Sequence, residues 1–277
     1  MVVIDYNEPL LARMQEAFGR PNVSVVANSG PQGLSGARNT GVAASESGLT
    51  LFLDDDALPD KGWIDAYRSR FSTSESIVGV GGAVVPAWEG GLAPRWFPDE
   101  FGWVVGCDYR GLPANGQQIR NPIGASMGIR HWCFDLVGGF SHAVGRIGAV
   151  PSGDEETELF IRVRRAVPGA QIVRDTGAVV FHTVPSARQT VKYFVSRCYH
   201  EGRSKAAMTE TVGTADGLSS ERSYVLKTLV GGMGIHFAAA LNGDPAGLAR
   251  AVMLPLGLAA TTYGFAIARV QSRRRTR

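Results

Sequence analysis

The sequence has little that crosslinks and little charge. Its three cysteines, Cys107, Cys133 and Cys198, stand far apart with no C-x-x-C spacing. That excludes a disulfide framework and a cysteine zinc site, and it fits a reducing cytosol. Only 19% of residues are charged and the net charge is +3, so nothing demands nucleic acid, although the terminal QSRRRTR concentrates positive charge. The first residues, MVVIDYNEPL, lack a basic region and meet Asp5 after a short apolar run, so they do not read as a signal peptide. What is abundant is apolar residues, at 44%, and glycine, with 35 of 277 residues. This is a folded α/β composition, rich in turns and long enough for a full core.

Strand and helix patterns alternate along the first part of the chain. VVID reads as a short buried strand, LLARMQEAF as a helix stopped by Gly19 and Pro21, and VSVVA as a second strand. A Gly-rich segment, NSGPQGLSGARNTGVAAS, then enters a helix, LTLFL forms a strand, and a helix is expected from near Pro59. That order points to a parallel α/β sheet, with ligands at the carboxyl ends of its strands. After Ser76 come strands and long loops bearing Trp88, Trp96 and Trp103, suited to a substrate cleft. SGDEETELFIRVRRAV is a helix with a capping box from Ser152 to Glu155, and GAVVFHTV is a further strand.

Three consecutive acids, Asp54, Asp55 and Asp56, end the LTLFL strand. Carboxylates crowded at the end of a buried strand repel one another and lose hydration, and a divalent cation resolves that conflict. Hard oxygen ligands one residue apart suit Mg²⁺ or Mn²⁺, which also bind substrate phosphates. The plainer alternative has Asp56 capping the next helix and the other two solvated.

The setting of the triplet resembles the GT-A glycosyltransferases, in particular the inverting, nucleotide-sugar-dependent family 2. The likeness is carried by GLSGARNTGVAASESGLTLFLDDDALPDKGW, by SMGIRHWCFDLVGGFS and by GDEETELFIRV. It implies a GT-A (Rossmann-like) α/β fold over residues 1–185, a mostly parallel sheet flanked by helices, and transfer of a hexosyl or related sugar. Carried over by position, it implies that Asp54 and Asp56 bind the metal and donor diphosphate, that Asp55 contacts the ribose, and that Asp5, Arg38 and Asn39 bind the donor. His182 matches a place where some GT-A enzymes supply a third metal ligand. The family ordinarily has one more strand and helix before the segment matching VVID, so the resemblance implies a chain lacking that unit.

The leaving nucleoside diphosphate would be neutralised by the cation, and an acceptor hydroxyl needs a general base on the opposite face of the sugar. Asp154, Glu155, Glu156 and Glu158 are candidates, and alignment on EETEL selects Glu155 and Glu156. Helix-start acids that merely complement the macrodipole are the alternative.

Residues 186–222 read as a basic, aromatic helix similar at its start to actinobacterial-type members. Arg188, Tyr193, Arg197, Tyr199, Glu201 and Lys205 are candidates there for an acceptor or phosphate site, or for a solvated face. Residues 223–277 are an apolar helical extension with a basic tail. Residues 251–268 carry no charge, which as a helix is roughly 27 Å, marginal against a hydrocarbon core of about 30 Å. Pro255 and Gly257 weaken a span further. The expectation is therefore a membrane-associating extension lying in the interface with its arginines on anionic lipid, against the alternatives of a true span and of a hairpin packed on the protein's own core. The implied partners are a nucleotide-sugar donor and a carbohydrate or lipid-linked acceptor, reached from the cytoplasmic, inner face of the cell membrane. Two other readings stand beside this one: a haloacid dehalogenase-type phosphatase, from LFLDDDAL and GDEETE, and an inactive, membrane-associated interaction module.

Overall fold

The computed structural model describes residues 1–142, 155–213 and 224–275. Strand β1 (Val2–Ile4) leads into helix α1 (Glu8–Phe18), whose first turn is fixed by Asn7 Oδ1 accepting from Leu10 N at 3.1 Å and by Pro9, where a missing N–H costs nothing. Strand β2 (Val25–Ala27) pairs with β1 in parallel, Val3 opposite Val26. Helix α2 (Leu34–Ala43) starts at Gly33, whose φ of 121° no side-chain-bearing residue adopts easily.

A five-stranded sheet follows, in the order β3 (Leu49–Leu53), β6 (Ser126–Arg130), β5 (Ile77–Trp88), β7 (Gln171–Val184), β4 (Ala57–Pro59). Only β5 and β7 pair in parallel within it; β3 with β6, β6 with β5 and β4 with β7 are antiparallel. The α/β architecture with flanking helices is as expected, but the sheet is mixed where the alternating pattern pointed to a mostly parallel one. The cause is β6, inserted between β3 and β5 from far along the chain, a pairing that local alternation does not encode. The helix expected from Pro59 begins instead at Trp63 (α3, Trp63–Ser72), because residues 57–59 add an edge strand to β7. An edge tolerates a proline that donates no hydrogen bond.

α3 lies on this sheet with Trp63, Tyr67 and Phe71 buried. Phe71 at 2% exposure contributes about 1.5–3 kcal/mol. Tyr67 reaches through the layer, its hydroxyl 2.9 Å from Ser126 Oγ and accepting from Gly82 N at 3.0 Å. Gly82 and Gly128 are required there, since a Cβ on either would run into Tyr67 or its partners. A 3-10 helix (Asp99–Val105) packs Phe101 and Val104 into the same core. After β6 come α4 (Trp132–Val137) and α5 (Glu155–Ala166), which close a second core around Phe134, Phe140, Leu159 and Phe160. The capping residue Ser152 and the candidate acid Asp154 lie outside the described residues.

Helix α6 (Val191–Val212) is capped by Thr190, whose hydroxyl accepts from Tyr193 N at 3.1 Å. A π-helical turn (Tyr224–Leu229) enters α7 (Val230–Leu241), and α8 (Ala246–Arg275) returns from it. α8 runs unbroken through Pro255, which the sequence marks as a weak point; packing against α6 and α7 holds it. Both segments are long and apolar enough to cross a membrane, and 17% and 28% of them is buried. One face, with Leu229, Ala251, Met253 and Leu254, is packed on the protein itself, while Val230, Phe237, Leu241, Val252 and Tyr263 face outward. The two helices thus form a hairpin docked on α6 and the 3-10 helix.

Candidate active site

The acidic triplet sits on the turn between β3 and β4, closed by Ala57 N donating to Asp54 O at 3.1 Å. β4 pairs antiparallel with β7 so that Ala57 faces His182, and Thr183 N donates to Asp56 O at 2.8 Å. This register brings the triplet and a histidine distant in sequence to one place. Asp54, Asp56 and His182 each offer a ligand atom, all within 4.8 Å of one another. His182 is 4% exposed, its Nε2 3.1 Å from Asp56 Oδ1 and its Nδ1 3.7 Å from Cys107 Sγ. Arg188 Nη1 lies 3.4 Å from Asp56 Oδ2. The hydrogen bond from His182 holds the Asp56 carboxyl below the usual carboxylate range against the opposing effect of partial burial, with the charges of His182 and Arg188 assisting. Two carboxylate oxygens and an imidazole nitrogen so close together are a donor set fit for Mg²⁺ or Mn²⁺. Burial pushes the Cys107 thiol up to about 12, with Asp108 and Asp56 adding to it, so the thiol is neutral and serves to orient the ring.

Arg38 is the hub of the site. It leaves α2 with its guanidinium between the rings of Phe52 and Phe140, 5.9 and 5.4 Å from their centroids. Its Nη2 is 3.3 Å from Asp54, and its Nη1 is 3.2 Å from Glu155 and 2.9 Å from Glu156. Burial opposes its charge, but Glu156, Asp54 and Glu155 outweigh burial and hold its pKa above the ordinary arginine value. One guanidinium thus joins the end of β3 to the start of α5. Gly124 leaves the room: a Cβ there would collide with Glu156 Oε1 and Arg38 Nη2.

The remaining candidates are placed differently. Glu158 is taken by Arg162, at 2.6 and 2.7 Å, and Arg162 in turn donates to the carbonyls of Val137 and Gly139. Asn39 spends both ends of its amide on the backbone of Phe140, at 2.9 and 2.7 Å, pinning the GGF turn to α2. Asp5 accepts from Asn28 Nδ2 at 2.6 Å and Gly33 N at 3.0 Å, tying β1 to the Gly-rich loop. Asp55 is exposed at the tip of its turn. Sequence reasoning missed Phe52, Phe140 and Cys107, which act through packing, and Tyr6, which stands after Asp5 with a φ of 49° and an exposed ring. A tyrosine in the left-handed region is a strained position of the kind that collects at binding sites. A cleft of about 120 Å³ opens beside it, lined by Ile4, Asn7 and Asn28.

The sequence profile described as glycosyl transferase family 2 matches residues 2–131. Over 231 residues the chain is 31% identical to the glucosyl-dolichyl phosphate glucuronosyltransferase of Haloferax volcanii, covering 83% of this chain and 72% of that protein. Its fold is similar to that of the mannosyltransferase from Pyrobaculum calidifontis solved in complex with GDP-Man and Mn²⁺, at 16% identity and a TM-score of 0.57, over 95% of this chain and 76% of that one. GalNAc-T7, solved with UDP, GalNAc and Mn²⁺, matches at 15% identity and a TM-score of 0.48 over 80% of this chain, which spans 47% of it. At 31% identity over 231 residues, covering 72% of that glucuronosyltransferase, the chain belongs to glycosyl transferase family 2.

Proposed function

We propose that the chain transfers a hexosyl or related sugar, with inversion, from a nucleoside diphosphate sugar to a hydroxyl of a lipid-linked or cell-envelope carbohydrate. Asp54, Asp56 and His182 would hold Mg²⁺ or Mn²⁺, which supplies Lewis-acid neutralisation of the departing diphosphate. Arg188, 3.4 Å from Asp56, adds a second positive group on the leaving side. Asp5 and Asn28 shape the donor end by holding the Gly-rich loop, and the Tyr6 ring offers a flat face to the nucleoside.

The observation that carries this reading is the seat of Arg38. It places the two acids of α5 within one guanidinium's span of Asp54, so a general base stands beside the diphosphate cluster rather than elsewhere on the surface. Of the two, Glu156 is the base in this proposal, because its side chain is 14% exposed against 3% for Glu155. Glu155 then acts as the buried counter-charge that fixes Arg38.

The membrane side of the proposal rests on the outward apolar face of α7 and α8 and on Arg269, Arg273 and Arg274 near the end of α8, which suit an anionic, cytoplasmic leaflet. The name of the Haloferax volcanii relative, with its dolichyl phosphate, supports a lipid-linked acceptor. The test is a panel of nucleoside diphosphate sugars with Mn²⁺, scored by transfer to a synthetic polyprenyl-phosphate saccharide and by NMR of the new anomeric centre. Transfer with inverted configuration is expected; a retained configuration, or turnover undiminished by metal chelation, refutes the mechanism.

A further inference from the structure

α6 and α8 run side by side in the same direction, with Gly257 against Phe194 and Gly264 against the backbone of Tyr199. The approach is closest where glycine permits it, since a Cβ on Gly202 or Gly264 would strike the opposing backbone. On one flank the two helices leave a groove of about 570 Å³, with Lys192, Val195 and Tyr199 on one wall and Leu256, Ala260 and Tyr263 on the other. That volume is in the range of sites that enclose a small ligand.

The groove is asymmetric. At one end is Lys192, in the first turn of α6, which makes no ion pair among the described residues. Four positions before it stands Arg188, whose guanidinium reaches Asp56 of the candidate metal cluster. At the other end the rings of Tyr199 and Tyr263 meet, centroids 6.0 Å apart. Lys192 and Tyr199 are about 10 Å apart along the helix by its rise. A cationic mouth near the catalytic centre therefore opens into an apolar trough leading away from it. A free sugar would find few hydrogen-bonding groups in that trough, whereas a hydrocarbon chain loses its contact with water there.

We infer that this groove takes the hydrocarbon tail of a phosphate-linked lipid acceptor, with the phosphate at Lys192 and the sugar presented to the Asp54, Asp56 and His182 cluster. The inference rests on the lipid-acceptor reading above and adds to it a site.

The probe is farnesyl phosphate bearing a diazirine on its last isoprene, with diazirine-labelled farnesol as the uncharged control, photolysed on the full chain and mapped by mass spectrometry. Crosslinks are expected on Val195, Tyr199 or Ala260. Ala259→Trp and Ser196→Trp, which fill the groove from exposed positions, should lower labelling roughly tenfold, the equivalent of losing one good apolar contact set. Thermal melting reports that these variants fold. Lys192→Ala should weaken labelling by farnesyl phosphate about fivefold and leave farnesol labelling unchanged. Crosslinks elsewhere, or full labelling of both Trp variants, overturn the site. A dimer that Ala259→Trp dissociates in size-exclusion chromatography assigns the groove to a second copy and also overturns it. Transfer to a polyprenyl-phosphate acceptor without groove labelling defeats the inference alone; absence of both transfer and labelling defeats the lipid-acceptor reading with it.

Discussion

Replacing Arg38 by Met keeps the apolar stem between Phe52 and Phe140 but removes the charge that faces three carboxylates. At an effective dielectric of about 20, each pair near 3–4 Å is worth on the order of 4 kcal/mol before desolvation. Removing one partner of a buried pair leaves a net cost of about 3–5 kcal/mol, because the other charge stays buried. Here that stranded charge is Glu155, 3% exposed at its side chain, whereas Asp54 at 30% regains water. The lower half of the range therefore applies, about 3–4 kcal/mol, or roughly 6–16 °C in melting temperature for a chain this size. Circular-dichroism melts of both proteins at pH 7.5 in low salt measure this. A drop under about 2 °C refutes the reasoning. Arg38→Lys should fall between, since one ammonium cannot reach all three acids.

Asp56→Ala should abolish the Mn²⁺-induced rise in melting temperature, which for wild type at a hundredfold excess over its dissociation constant corresponds to about 2.7 kcal/mol; a rise of the same size in the variant removes Asp56 from the metal set. Glu156→Gln should lower kcat by about 10²–10⁴ in addition to the melting loss that both variants share through Arg38, while Glu155→Gln should show that melting loss with kcat held within about tenfold; the reverse pattern exchanges their roles. Burial pushes the Glu201 carboxyl up, but Lys205 and Arg197 outweigh it and set it at about 2. Its contribution is therefore present above the unfolded value near 4.5 and lost as pH falls from there toward about 2. Glu201→Gln should flatten the acid limb of a stability profile recorded between those values.

The sequence made the acidic triplet and the Gly-rich segment legible because both are local. Asp54 and Asp56 stand on one strand terminus, and the Gly-rich ARN segment precedes them by one helix. His182 was reached only through resemblance; its position follows from the pairing of Ala57 with His182, a contact between strands far apart in the chain. Arg38 was legible as a basic residue near the donor, but its link to α5 depends on Phe52, Phe140 and Gly124, whose roles are steric and leave no chemical signature in a linear pattern. The mixed sheet escaped for the same reason: a linear pattern does not say which neighbours accept residues 126–130 as a strand. Pro255 misled in the other direction. Proline disfavours a helix locally, and tertiary packing along α6 overrides that preference.

The extension poses the sharpest choice between propensity and packing, and its polar residues decide it. Glu100, fully buried in the 3-10 helix, lies 3.0 Å from His236 Nε2 in α7, and its carbonyl accepts from Tyr224 Oη at 2.6 Å. Arg250, in the first turns of α8, donates from Nε to His236 Nδ1 at 3.2 Å. An arginine can only donate, so Nδ1 accepts, Nε2 carries the proton, and that proton points at Glu100. Arg250 also donates to Asp244 at 2.5 Å, and Asp244 accepts from Arg95 at 3.1 Å. Both ends of α7 and the start of α8 are thereby tied to residues 95–103. Swinging the hairpin out to cross a bilayer would part Glu100 from His236 and Tyr224 and part Arg250 from the Arg95 carbonyl, leaving the buried Glu100 carboxylate with Arg110 at 3.5 Å. Two helices apolar enough to span are thus held beside α6 and the 3-10 helix by the buried Glu100–His236 pair and by the Arg95–Asp244–Arg250 link, which leaves their outward faces as the apolar surface they expose.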